Sequence, residues 1–146
     1  MRLYTIGFAK KNAERFFDLL KLNNVERLID IRLNPKGQLA GFTKQDDLPY
    51  FLLHLIRCEY HYLKILAPSK EILANYRKDK NWDMYALEFE KLMDERKIPY
   101  SLDRSFFEDK SCCLLCSEPT PDKCHRRLVS ERLARHWNKL EVVHII

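Results

Sequence analysis

The feature that most constrains the fold of this chain is an alternation. Short, nearly continuous apolar runs take turns with stretches whose apolar residues recur at helical spacing. Leu3–Phe8, Leu28–Arg32, Tyr60–Ala67, Cys112–Glu118 and Val142–Ile146 read as five strands. Successive strand side chains point to opposite sides, so an uninterrupted apolar run fits a strand covered on both faces. Between these runs, Ala13, Phe16, Phe17 and Leu20 follow an i, i+3, i+4, i+7 stripe behind Asn12, a good helix cap. Leu48, Phe51, Leu52 and Leu55 repeat that spacing, Tyr85, Phe89 and Leu92 make a third stripe, and Val129, Leu133, Trp137 and Leu140 a fourth. Pro99–Ser111 is irregular and reads as a loop with one helical turn. The order predicts an α/β fold: a single three-layer domain over residues 1–146, with a mainly parallel five-stranded sheet flanked by helices.

Composition narrows the class further. The longest apolar runs fall far short of the roughly 20 residues that span a bilayer, so no membrane partner is expected. The first residues lack the apolar core of a signal peptide. Five cysteines, an odd number with Cys112 and Cys113 adjacent, make a poor disulfide framework, and a reduced, cytoplasmic protein is the expectation. The formal charge is +5, but from Pro119 to Leu140 six Lys/Arg face only Asp122 and Glu131. That local excess favours an anionic partner. A solvated basic face is the plain alternative, and the stripe is sparser than in dedicated nucleic-acid binders.

In an open parallel sheet, ligands bind beyond the carboxyl ends of the strands. Polar residues collect at those ends here. Strand one finishes Thr5-Ile6-Gly7-Phe8, strand two Asp30-Ile31-Arg32, and strand four Cys116-Ser117-Glu118. Asp30 and Arg32 share a face. They form either an ion pair that ties strand to loop or part of a shared ligand crevice, and Gly7 serves either a tight turn or that crevice. Pro119 and Pro121 delay the last helix to about Cys124, which puts His125, Arg126 and Arg127 in its first turn. Cations are disfavoured at that end, and unpaired N–H groups there attract anions. Arg126 also shares a stripe with Val129 and Leu133, so it faces the sheet. An anion is therefore expected beside it: Glu118 or Asp30 from the chain itself, or a ligand phosphate or carboxylate.

Gly7, Arg32, Cys116, His125 and Arg126 are accordingly the candidate ligand-binding residues. Glu118 and Asp30 are candidates to orient polar groups or transfer protons. Cys124, at a helix start beside His125 and two arginines, is the candidate thiol nucleophile, with a lowered pKa. Zinc is disfavoured, because no two cysteines show the close-pair spacing of a structural zinc site, and no metal ligand is assigned. A phosphatase loop would need arginine six residues after its cysteine, where Asp122 follows Cys116. Cys58, Cys112 and Cys113 read as small buried hydrophobes, and His144 as a hydrogen-bonded core histidine.

Thr5-Ile6-Gly7, Asp30-Ile31-Arg32 with Pro35, Leu114-Leu115-Cys116-Ser117-Glu118, Cys124-His125-Arg126 and His144-Ile145 together resemble the family of domain of unknown function 488. The resemblance runs along nearly the whole chain and implies a compact cytoplasmic α/β domain without an established activity. After Gly7 the family commonly continues with His-Ser; here the residues are Phe8-Ala9, so a polar pair at the mouth of strand one is missing. The expected function is binding of an anionic small molecule, phosphate-bearing and nucleotide-like, at the strand ends. One alternative is a non-catalytic module that docks its basic C-terminal helix on nucleic acid or protein; another is thiol chemistry at Cys124. No cofactor, reaction type or oligomeric state follows from the residues.

Overall fold

The apolar runs do form strands, and the first and fourth run together to a common end at Gly7 and Cys116. The computed structural model describes Met1 to Ile146, the side chain of Gln38 excepted. Five strands, β1 (Arg2–Gly7), β2 (Arg27–Asp30), β3 (Glu59–Tyr62), β4 (Cys112–Cys116) and β5 (Glu141–His144), make one sheet in the order β3-β2-β4-β1-β5. Every pairing is parallel. Tyr60–Ala67 is shorter as a strand than its apolar pattern suggests. β2 ends at Asp30, whose carbonyl takes the last ladder bond from Leu63 N–H. Beyond it the chain turns into a short 3-10 segment, Lys64–Leu66, and Arg96 collects the carbonyls of Ile65 and Ala67.

Helices α1 (Ala13–Leu22), α2 (Leu48–Ile56), α3 (Lys70–Asp79), α4 (Trp82–Glu95), α5 (Arg104–Glu108) and α6 (His125–His136) fill the connections. Asn12 caps α1, accepting from the Arg15 N–H at 2.8 Å. The irregular Pro99–Ser111 segment contains α5, a single capped turn started by Asp103. α3 has no fully buried side chain, and Leu55 of α2 is exposed.

Strand alternation sorts the core into two halves. On one face, Tyr4, Ile6, Leu28, Cys113 and Leu115 pack against Phe16, Phe17 and Leu20 of α1 and Leu48 and Leu52 of α2. On the other, Leu3, Ile29, Cys112 and Leu114 pack against Tyr85, Phe89 and Met93 of α4 and Val129 and Leu133 of α6. Both crossovers that move toward β3 therefore use one face, and those that return toward β5 use the other, as right-handed connections require. The reversal puts a switch point at β4: its exit leads to α6, whereas β1 and β2 on either side exit to α1 and α2. Exits that diverge to opposite faces leave a crevice between them.

The β3 rim carries charge. Glu59 accepts from Arg27 Nε at 2.7 Å and lies within 3.2 Å of Lys110 Nζ and 3.4 Å of His61 Nε2. Arg27, helped by the lysine and the imidazole, holds the Glu59 carboxyl down at about 2, against an ordinary 4.5. A depressed carboxyl contributes stability that is full above the unfolded value and is lost as pH falls through the folded one. Urea titrations of wild type and Glu59→Gln are therefore expected to differ most above pH 5. The difference should close as pH falls from about 4.5 toward 2.

Candidate functional site

A cavity of about 680 Å³ opens at the carboxyl ends of β1, β2 and β4. Cys116 closes β4 at its floor, and Cys124 and His125 enter from the start of α6. Cys124 is the cap residue of α6, as its prolines predict, but its side chain makes no capping bond.

His125 is oriented from behind. Its Nε2 lies 2.7 Å from the Ile31 carbonyl, which can only accept, so Nε2 carries the proton. Nδ1 is then left with a lone pair, and it faces Cys116 Sγ at 3.3 Å. Phe89 of α4 packs against the ring, with centroids 5.6 Å apart. Cys116 itself is 5% exposed. Burial alone would raise its pKa, but the Cys124 thiol, the Ser117 N–H, the Arg126 charge and the Glu118 N–H outweigh burial and leave it lowered. Cys124 goes the other way. Burial, reinforced by the neighbouring Cys116, pushes it well above the ordinary thiol value. The lowered thiol expected at Cys124 is therefore not found there: position at a helix start gains it less than enclosure beside Cys116 costs it.

Arg126 is wholly buried one layer behind the cavity wall. Its Nε donates to Thr5 Oγ1 at 3.2 Å, and its Nη1 donates to the Glu118 carbonyl and approaches Cys124 Sγ at 3.7 Å. Thr5 Oγ1 is in turn 2.6 Å from His144 Nδ1, the hydrogen-bonded histidine expected in the last strand. Burial first, then the Arg126 charge, lower the His144 pKa. Neither carboxylate expected beside Arg126, that of Glu118 or Asp30, reaches it; a neutral backbone carbonyl takes Nη1, and Nη2 is buried without a partner. Gly7 belongs to this arrangement through close approach rather than a tight turn. A Cβ there would stand 1.6 Å from the Glu118 oxygen and 2.7 Å from Arg126 Nη1.

Asp30 and Arg32 form a second network, on the opposite face of the sheet. Asp30 is wholly buried and accepts from Arg32 Nε and Nη2 at 2.8 Å each, from the Arg32 N–H at 3.1 Å and from Tyr60 Oη at 2.6 Å. Arg32 also binds Thr43 Oγ1 and the Thr43 carbonyl, at 3.0 and 2.7 Å. An enclosed carboxylate with four donors is a structural anchor, poorly placed to exchange protons with a ligand. Strand alternation separates the networks: Thr5, Gly7 and Cys116 point toward α6, whereas Asp30 points toward α2. They meet only at the cavity, which Arg32 also lines. Glu118 lines it too, with an exposed side chain, while its backbone serves Arg126.

The contributors that residue patterns did not single out are Tyr60, Thr43, Arg77 and Lys80. The last two border the cavity from α3 and its end. Phe8 and Ala9, which replace the His-Ser pair, also line it, and the Phe8 ring lies 5.4 Å from the Arg32 guanidinium carbon.

The family model described as "Domain of unknown function DUF488" matches residues 12–133. The chain belongs to this family. No curated protein and no solved structure matches it. The DUF488 match runs from the cap of α1 into α6, so it contains Asp30, Arg32, Cys116, Glu118, Cys124, His125 and Arg126. Thr5, Gly7, Phe8, Ala9 and His144 lie outside it. In this DUF488 chain the outer residues are nonetheless joined to the inner ones through Arg126.

Gly7→Ala tests that junction. The added methyl meets backbone, which has little room to yield, so a loss of about 3 kcal/mol or more is expected. It should appear as a lower urea midpoint with an unchanged slope.

Proposed function

We propose that this protein binds an anionic small molecule, phosphate-bearing and of nucleotide size, in the cavity at the carboxyl ends of β1, β2 and β4. The charge of the cavity's rim carries the reading. Arg32, Arg77, Lys80 and Lys123 line it, and Glu118 is the carboxylate among its described lining residues. Arg32 spends four of its five N–H donors on Asp30 and Thr43, so it is held rigidly and keeps one for a ligand. Phe8, Tyr76 and Tyr85 add aromatic surface, suited to a base or another planar group. The first turn of α6 adds unpaired N–H groups. Glu118 is the group available for proton transfer, should a reaction accompany binding. A reducing cytoplasm is the compartment assumed, in keeping with five free thiols.

The alternative of a basic docking helix finds less support. Arg126 is buried, Arg132 is paired with Glu90 and Asp94, Arg135 shares Glu90, and Arg127 lies near Glu131. Little of the local excess in the sequence is left free to face a polyanion. As for a membrane, none of the helices among the described residues is long and apolar enough to cross one.

Thermal-shift measurements with inorganic phosphate and a panel of nucleotides, in excess chelator, test the proposal. A ligand near 100 times its Kd should raise the melting temperature by roughly 5–10 °C. Lys123 and Arg77 are exposed, so the double variant Lys123→Glu, Arg77→Glu should keep its own melting temperature and lose the shift. If no phosphate-bearing compound stabilises the wild type, the reading is wrong.

A further inference from the structure

Cys116, Cys124 and His125 are eight and nine residues apart along the chain, yet their ligand atoms all lie within 4.8 Å of one another. Spacing alone spoke against a metal because it looks for close cysteine pairs. Here the Ser117–Lys123 turn folds back, so that the end of β4 and the start of α6 supply the pair instead. We propose that these three residues form a transition-metal site, best suited to zinc, with an open fourth position facing the cavity.

The donor set is two thiols and an imidazole, the soft and borderline ligands that zinc prefers. Zinc–sulfur and zinc–nitrogen bonds of about 2.3 and 2.0 Å, at tetrahedral angles, put ligand atoms roughly 3.5–3.8 Å apart. Cys116 Sγ and His125 Nδ1, at 3.3 Å, need move only tenths of an ångström to meet that. His125 is already in the required tautomer. Its Nε2–H is held by the Ile31 carbonyl, and its Nδ1 lone pair points at Cys116, the arrangement that fixes metal-bound histidines in known sites. The Cys124 sulfur has its own support: Arg126 Nη1 lies 3.7 Å away. All three residues are buried and all three border the cavity. Three protein ligands beside an open space is the pattern of a reactive zinc rather than a purely structural one. On binding, each thiol loses its proton to solvent, so the two thiolates balance the dication. Glu118, at the same wall, stands where it could take a proton from a water in the fourth position. The inference is independent of the anion reading, since Arg77, Lys80 and Lys123 take no part in the cluster.

Cobalt(II) alone is the probe, added anaerobically to the full-length, reduced protein. One equivalent should produce the strong visible bands of tetrahedral cobalt and a near-ultraviolet thiolate charge-transfer band. One equivalent of zinc should then bleach both. Cys116→Ser, Cys124→Ser and His125→Asn should each weaken binding about 100-fold or more. Cys58→Ser, at a distant buried thiol, should leave it intact. Circular dichroism of the metal-free variants separates loss of ligands from loss of fold. If a folded Cys116→Ser, Cys124→Ser double variant gives the same bands, the assignment is wrong. Wild type that gives no bands, while Cys116 is alkylated at neutral pH, overturns it too and assigns the cluster to thiol chemistry.

Discussion

The guanidinium of Arg126 is the bulkiest fully buried side chain in the molecule, and much of the site's composition follows from enclosing it. An ion taken out of water costs several kcal/mol unless its donors find acceptors. Here acceptors for Nε and Nη1 come from three directions, the Thr5 hydroxyl on β1, the Glu118 carbonyl after β4 and the Cys124 sulfur at the start of α6, while Nη2 is buried without a partner. The hydroxyl that accepts from arginine is free to donate its own hydrogen to His144, 2.6 Å away, whose pKa burial lowers. The carbonyl can reach the guanidinium only by crossing the end of β1, which leaves no volume for a side chain at position 7. One buried charge thus ties together a strand end, a turn and a helix start that lie far apart in sequence.

The Asp30–Arg32 pair solves a similar problem differently. There the cation and anion neutralise each other directly, with Tyr60 and Thr43 taking up the remaining valences. Arg126 is supported by dipoles and keeps its charge uncompensated by any close carboxylate described here. Its field therefore reaches the sulfurs of Cys116 and Cys124, whereas the field of Arg32 is largely spent on its partner. The two buried arginines thus differ in the charge they present through their pairing as much as through their place in the fold.

How much of this could be read from the residues depends on the range of the interaction. The strands were legible because Leu28, Ile29, Leu114 and Leu115 are buried from both sides and leave an unbroken apolar trace. The start of α6 was legible from Pro119 and Pro121, which act locally. α3 was harder to see, because its stripe is short, Ile72, Leu73 and Tyr76, and buries no complete side chain. The sequence motifs marked Asp30, Arg32, Cys116, Glu118, Cys124, His125 and Arg126 together, but not their division into two networks. That division depends on strand pairing: Asp30 meets Tyr60 across the β2–β3 pair, whereas Thr5 meets Arg126 where α6 packs over β1 on the other face. Cys124 was likewise ranked from local position, whereas its enclosure and the approach of Cys116 from across the turn raise its pKa.

A parallel sheet open at both sides has two outer strands whose backbone groups could recruit a strand from another molecule. β3 is one of them, and it is not a bare ribbon. Glu59 there is clasped by Arg27, Lys110 and His61, and at the other margin Glu141 of β5 holds Arg2 at 3.1 Å. A strand arriving from outside would have to displace hydrated charge before forming its first backbone bond. The ionic clusters of the two margins thus act as fences against uncontrolled self-association. The cavity sits elsewhere, above the central strands, where access for a small ligand does not require the sheet's edges to be exposed.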